Sequence, residues 1–146
     1  MFLQDVINVD AMPALEMAAR FAAQRQRVTA HNIANISTPE YLQQDLSVAE
    51  FRETLADAVD RRRQTSDGLR GPLEWRETNE LRRDARGHLV ATPTTPSGNI
   101  LFHDRNNRDL ERLMQDQVEN VGVFRIATEL MRTHTEMMRA AIAGRI

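Results

Sequence analysis

The sequence has no cysteine, and it has no lysine, so that all 19 of its basic residues are arginine. The absence of cysteine excludes disulfide bridges, thiolate zinc sites and cysteine nucleophiles. No run of about 18 apolar residues occurs, which excludes a membrane-spanning helix. Residues 1–5 contain neither a basic region nor an apolar core. We therefore expect no cleavable secretory signal.

Aromatic residues and glycine are also scarce, with one tryptophan, one tyrosine, five phenylalanines and six glycines in 146 residues. Compact enzymes usually bury more aromatic surface and use more glycine in turns and pockets. The net charge of −2 argues against nucleic-acid binding through bulk electrostatics. Alanine, leucine, methionine, glutamate, arginine and glutamine, all good helix formers, are favoured instead. This composition predicts long helices with little globular core.

The distribution of glycine and proline divides the chain into three parts. The first 67 residues lack glycine, whereas residues 64–99 hold four of the six glycines and three of the five prolines. We predict an N-terminal helix in residues 1–42, a short third helix and a loop-rich middle in 43–106, and a C-terminal helix in 107–146. The expected fold is a single all-α domain. Its long terminal helices pair as a coiled-coil-like hairpin, and its middle holds at most short β-strands.

The N-terminal helix is expected to begin near Asp10, which is a good N-cap, with Pro13 in the first turn. It should end before Pro39, because proline disfavours a helical conformation at Thr38. One face is marked by steps of three and four and is rich in small side chains; it carries Met12, Leu15, Ala19, Ala22, Gln26, Thr29 and Ile33. Within this face, Leu15, Ala19 and Ala22 are candidates for an assembly seam.

The middle of the chain gives weaker signals. Residues 47–50 read as a capping box, with reciprocal bonds between Ser47 and Glu50. The helix that follows should end in the arginines of 61–63, which suit the C-terminal dipole. Residues 89–91 and 100–102 are predicted as short strands, and 92–98 as a loop. We expect residues 64–103 to be the least ordered part, and deletion of 61–86 to harm function less than breaking a terminal helix.

The C-terminal helix is predicted over residues 109–143, capped by Asn107 and roughly 50 Å long. A heptad-type row runs along it and comprises Leu110, Met114, Gln117, Val121, Phe124, Thr128, Met131, Thr135, Met138 and Ile142. A second row lies beside the first and comprises Leu113, Val123, Ala127, Leu130, Met137 and Ala141. Two rows exceed what one partner helix covers, so we expect lateral packing on other subunits. Val121, Phe124, Met131 and Met138 complete the candidate assembly seam.

Catalytic patterns do not occur in the sequence. The four histidines show no HExxH motif, and no two of them are four residues apart. A nucleophile elbow, a glycine-rich phosphate loop and a dinucleotide fingerprint are likewise missing. The carboxylates are spread along helices in the manner of solvated faces. We therefore expect neither an enzyme nor a bound cofactor or metal.

One segment at the end of the N-terminal helix differs from ordinary helix or loop. Its residues alone indicate a polar helix stop followed by a Thr-Pro turn. Asn32-Ile33-Ala34-Asn35, followed by Thr38-Pro39 and Tyr41, resembles the N-terminal signature of the bacterial flagellar axial proteins, which are the rod and hook proteins. The start of the C-terminal helix, with Asp109, Leu110 and Met114, is similar to the family's terminal-helix motif. The Thr-Pro-x-Tyr form and the short length are most similar to the proximal rod members.

The chain also departs from the family pattern at several positions. Glu40 stands where the family usually has glycine, so the turn after Pro39 cannot rely on a glycine with positive φ. Leu42 replaces a basic residue, Arg108 a valine and Leu113 a glutamate. These differences indicate a divergent member of the family.

The resemblance implies a structural subunit of the flagellar basal-body rod, a shaft in the periplasmic space that transmits torque for motility. Members polymerise through their terminal helices and leave the cytoplasm through the flagellum's own type III export apparatus. The implied partners are other copies, other rod proteins, the basal-body adaptor at the rotor ring and the export apparatus. Two alternatives stay open. One is another axial relative, although those usually have a larger middle; the other is an unrelated small helical binding protein, such as a chaperone.

Overall fold

A computed structural model describes residues 11–66, 70–95 and 109–144, and in this part of the chain the fold is mostly helical with one small sheet. The elements in order are α1 (Met12–Ala34), α2 (Val48–Ser66), β1 (Leu81–Arg83), β2 (Leu89–Ala91) and α3 (Leu110–Ile142). The three predicted helices and the predicted strand at Leu89–Ala91 are confirmed. The strand predicted at 100–102 lies outside the described residues.

The ends of α1 follow from local sequence. Its N-cap position is Ala11, whose carbonyl accepts from the Leu15 N–H at 3.0 Å, and Pro13 lies in the first turn as predicted. The predicted cap, Asp10, is outside the described residues, and the cap position itself lies one residue later than expected. The helix ends at Ala34, well before Pro39.

The capping box at the start of α2 is only half formed. The Ser47 hydroxyl accepts from the Glu50 N–H at 3.1 Å, as predicted. The reciprocal bond is wrong, because the Ser47 N–H donates instead to Glu80 Oε2 at 2.8 Å. Glu80 is buried, and its other oxygen accepts from the Thr94 hydroxyl at 2.7 Å. A carboxylate from the middle segment has therefore replaced the local partner.

The remaining helix ends differ slightly from expectation. α3 is capped by Asp109, whose carboxylate accepts from the Arg112 N–H at 3.0 Å. Asn107, the predicted cap, is outside the described residues. α2 continues to Ser66 instead of ending in residues 61–63. Both corrections move a boundary by a few residues and leave the element in place.

The core lies between α1, α2 and the hairpin of β1 and β2. Its buried residues are Met17, Phe21, Leu46, Phe51, Ala58, Trp75, Leu81 and Leu89. The rings of Phe21 and Phe51 stack with centroids 4.0 Å apart. Trp75, Leu81 and Leu89 come from the middle segment, and Leu81 is only 1% exposed. The middle segment therefore supplies part of the core, and deleting residues 61–86 would remove Trp75 and Leu81 from it.

The hairpin turn is organised by Asp84. Its N–H donates to the His88 carbonyl at 2.9 Å, and Oδ1 accepts from the N–H groups of Arg86 and His88, both at 2.8 Å. These donors lower the pKa of the Asp84 carboxyl, with the His88 N–H contributing most. Gly87 has φ 79° and supplies the left-handed residue that the turn requires.

Side chains occupy the outer edges of both strands. The Gln24 amide donates to the Leu89 carbonyl at 2.6 Å, and its oxygen accepts from the Ala91 N–H. The N–H of Arg83 donates to Glu77 Oε1 at 2.9 Å, on the outer side of β1. Gln24 thus takes the place of a neighbouring strand and attaches β2 to α1.

Candidate assembly interface

Asn32 ties the end of α1 to the segment that follows it. This side chain is 3% exposed. Its oxygen accepts from the Tyr41 hydroxyl at 2.8 Å and from the Gln44 N–H at 3.0 Å, and its amide donates to the Gln44 carbonyl at 2.6 Å. Burial raises the pKa of the Tyr41 phenol, which keeps its proton available for this bond. The first motif asparagine is therefore a clamp that fixes the path of the chain after the helix.

Asn35, the second motif asparagine, closes the helix end. Its side-chain amide donates to the His31 carbonyl at 2.9 Å. The Thr38 N–H donates to the Asn35 carbonyl at 2.9 Å and forms a tight turn. The His31 ring meets Tyr41 edge-on with centroids 5.7 Å apart. Both asparagines satisfy helix-end and backbone groups, as their positions predict. Ile33 lies half-buried between them, whereas Ala34 and Pro39 are exposed.

Glu40 adopts φ 60°, a left-handed conformation that glycine adopts most readily. The turn after Pro39 therefore has a left-handed backbone at a residue that has a Cβ. Such a conformation costs a residue other than glycine about 1–2 kcal/mol. The hydrogen bond between Asn35 and Thr38 fixes the chain before Glu40, and the hydrogen bonds between Asn32 and Gln44 fix it after Glu40. Together they hold Glu40 in this conformation.

A buried arginine joins three parts of the fold. Arg25 has a side chain 6% exposed, and its guanidinium lies 3.0 Å from Asp116 of α3 and 3.4 Å from Asp45 of the segment between α1 and α2. The carboxylate of Asp45 also accepts from the Leu46 N–H at 2.8 Å. Sequence reasoning missed this cluster. The one available signal was a charged residue four positions from Phe21 and from Thr29 on a buried face.

α1 and α3 pack against each other in antiparallel directions. The Asn120 amide donates to the Ala22 carbonyl at 2.9 Å and to Gln26 Oε1 at 3.1 Å. Leu113, two turns earlier on α3, lines a pocket with Thr29 and Asn32, which lie further along α1. The buried residues of α3 are Leu113, Asn120 and Ala127. Leu113 and Ala127 belong to the predicted second row, and members of the predicted heptad row such as Val121 and Met131 lie half-buried beside them. Asn120 was missed because it is polar and was not counted in an apolar pattern.

The candidate seam residues take three different environments. On α1, Ala22 is buried, and Leu15 and Ala19 are half-buried. On α3, the half-buried residues are Val121, Met131 and Met138. Phe124 is 41% exposed. Of the motif residues on α3, Asp109 caps the helix, whereas Leu110 and Met114 are exposed.

Large apolar side chains lie exposed along both sides of the buried row of α3. They are Leu110, Met114, Val118, Val123, Phe124, Ile126, Leu130, Met137 and Ile142. Val118 is 74% exposed and Ile126 64%. On one side, Leu110, Met114 and Val118 follow steps of four. On the other side, the spacings are three, four and seven, in the order Val123, Ile126, Leu130, Met137. Phe124 and Ile142 lie on the same side of the buried row as Leu110. We call all nine residues the outer rows of α3, and they form the candidate assembly interface.

Other kinds of site receive no support from the described ranges. Within residues 11–66, 70–95 and 109–144, no three histidine or carboxylate side chains come together as metal ligands would. Over the same ranges, no helix combines the length and apolarity needed to cross a membrane. No family model matches the chain, and no curated protein matches it. The family resemblance accordingly rests on the motif residues alone.

Proposed function

We propose that this protein is a structural subunit of the bacterial flagellar basal-body rod, most similar to the proximal rod proteins. Copies polymerise through their terminal helices into the axial drive shaft that transmits torque for motility, and the protein catalyses no reaction. The observation that carries this proposal is the pair of outer rows on α3. A helix of 33 residues that leaves nine large apolar side chains in water is suited to burial against further helices.

The structural role of the motif residues supports the same proposal. Asn32 and Asn35 each make specific bonds, and together they set the direction of the chain as it leaves α1. Glu40 stands where the family usually has glycine, and its φ of 60° is a conformation that glycine adopts readily. A left-handed turn at this position is consistent with the resemblance. In the rod, α1 and α3 pair as a coiled-coil-like hairpin, and the outer rows bury against neighbouring copies.

The proposal also fixes a location and a set of partners. The subunit lies in the periplasmic rod and reaches it through the flagellar type III export apparatus. It contacts other copies, other rod proteins and the basal-body adaptor at the rotor ring. The alternatives are a different axial relative or an unrelated helical binding or chaperone protein. The outer rows would equally suit a client chain, so the stoichiometry of the complex distinguishes a chaperone from a rod subunit.

The deciding experiment uses an epitope-tagged copy in the source bacterium, with the chromosomal copy deleted. We expect the deletion strain to lack hooks and filaments, and the tagged protein to be labelled on the rod of isolated basal bodies by immunogold electron microscopy. Intact basal bodies in the deletion strain would refute the proposal. A defined cytoplasmic complex with one client, in place of rod labelling, would favour the chaperone alternative.

A further inference from the structure

The buried row of α3 repeats every seven residues. Leu113, Asn120 and Ala127 are its buried members. On α1, this row meets the small Ala22 and the longer Gln26, and Arg25 lies beside them. If α3 slid along α1 by seven residues, each member of the row would take the place of the next. The apolar members Leu113 and Ala127 share this spacing, so apolar packing alone would discriminate weakly between these registers.

Asn120 does not tolerate such a slide. Its amide, 5% exposed, donates to both Ala22 and Gln26. A slide of seven residues would bring Leu113 or Ala127 opposite these acceptors. Asn120 would then lose both partners while remaining between the helices. A buried amide without a partner is unfavourable, so only one register satisfies it.

Asp116 lies one helical turn before Asn120 and selects the same register. It meets the buried Arg25 at 3.0 Å. After a slide of seven residues, Arg25 would face Val123 in one direction and Asp109 in the other. Asp116 therefore disfavours the first slide through the loss of its ion pair with Arg25. The second slide would move Asp109 away from its role as the N-cap of α3. The two polar contacts are four residues apart on α3 and are satisfied together.

We propose that Asn120 and Asp116 are positioning residues that fix the axial register of α3 on α1. Single buried polar residues have this role in coiled coils, where they specify register at some cost in stability. The register determines where the outer rows stand relative to the motif turn around Asn32. The inference concerns the pairing of α1 and α3 and holds whether or not the protein is a rod subunit.

The absence of cysteine makes a direct test possible. Cysteines are introduced at the exposed positions Arg27 of α1 and Thr133 of α3 and are spin-labelled in the otherwise unchanged full chain. Pulsed electron–electron double resonance then measures the distance between the two labels. We expect one distance in the parent. Asn120→Leu should add a second population displaced by roughly 10 Å, the axial length of seven helical residues. Adding Asp116→Asn should enlarge that population.

A matched control and a second variant complete the test. Gln115→Leu makes a comparable amide-to-leucine change on the exposed side of α3 and should leave the single distance unchanged. If Asn120→Leu does not fold, Asn120→Ala removes the same amide without added volume and is expected to show the same second distance. A single parental distance in the folded Asn120 variant, alone and with Asp116→Asn, would overturn the proposal whatever its thermal stability.

Discussion

Phe124 provides the most direct test of the outer rows as an assembly interface. It lies mid-way along α3 with 41% of its surface exposed, so somewhat more than half of the side chain is already packed within one subunit. Phe124→Asp therefore acts twice. It removes packing inside the subunit, and it places a carboxylate where the proposed rod excludes water.

The two effects differ in size. Full burial of a phenylalanine contributes about 1.5–3 kcal/mol, so the part buried within the subunit is worth about 1–2 kcal/mol and the part buried on assembly about 1 kcal/mol. A carboxylate held without a partner between helices costs several kcal/mol more. In the free subunit the same carboxylate reaches water through the exposed side. Phe124→Ala removes the same apolar area without adding a charge and isolates the second effect.

We expect both variants to be expressed and exported, with similar melting temperatures in the isolated subunit. Phe124→Asp should fail to enter the rod and leave cells without hooks or filaments, whereas Phe124→Ala should reduce assembly only partly. Glu119→Gln, a change at an exposed residue that meets Arg52 at 3.4 Å, serves as the tolerated control. The assay is isolation of hook–basal bodies from each strain. Normal structures containing Phe124→Asp protein would show that this face is not an assembly interface.

Three further predictions concern the motif turn and the hairpin. The free energy of unfolding of Glu40→Gly should exceed that of Glu40→Ala by about 1 kcal/mol, because both variants lose the carboxylate and only glycine relieves the strain of the positive φ. Denaturant titration measures this difference, and equal stabilities would contradict the prediction. Asn32→Ala removes three hydrogen bonds and should lower the free energy of unfolding by about 2–4 kcal/mol, whereas Asn35→Ala should lower it by about 1 kcal/mol. Similar losses for the two variants in denaturant titrations would contradict the role of Asn32 as a clamp. The lowered pKa of Asp84 means that its stabilisation of the turn is complete above the unfolded pKa of about 3.9 and is lost as the pH falls through the lower folded value. An acid titration of the His88 amide shift by NMR tests this, and Asp84→Asn should remove most of that pH dependence.

Features determined by neighbouring residues could be predicted from the sequence. Pro39 limited the extent of α1, the Ser47 hydroxyl capped α2, and the hydrophobic spacing located α3 to within a residue or two. Each of these depends on contacts within about four positions along the chain. Their physical causes, namely steric exclusion and satisfaction of helix-end groups, act locally whatever the tertiary fold.

The polar contacts that organise the candidate site could not be predicted in this way. Arg25, Asn120 and Glu80 are polar residues that a pattern of apolar spacing assigns to the surface, yet all three are buried. Asn120 finds its acceptor 98 positions away, at the Ala22 carbonyl. Burial of such residues depends on partners that only the tertiary fold brings near. The contribution of the middle segment to the core could not be predicted for the same reason. Its few apolar residues contact α1 and α2, from which they are separated in the sequence.

The side chains along the hairpin edges have a consequence for how the protein can aggregate. A two-stranded sheet normally presents unpaired backbone groups that can template the addition of strands from other molecules. Here the Gln24 side chain is hydrogen-bonded to the Leu89 carbonyl and to the Ala91 N–H, and the Glu77 carboxylate accepts from the Arg83 N–H. Fibril-like growth from this hairpin would first have to break those bonds. At high local concentration, folded copies are thus protected from cross-β stacking at these positions.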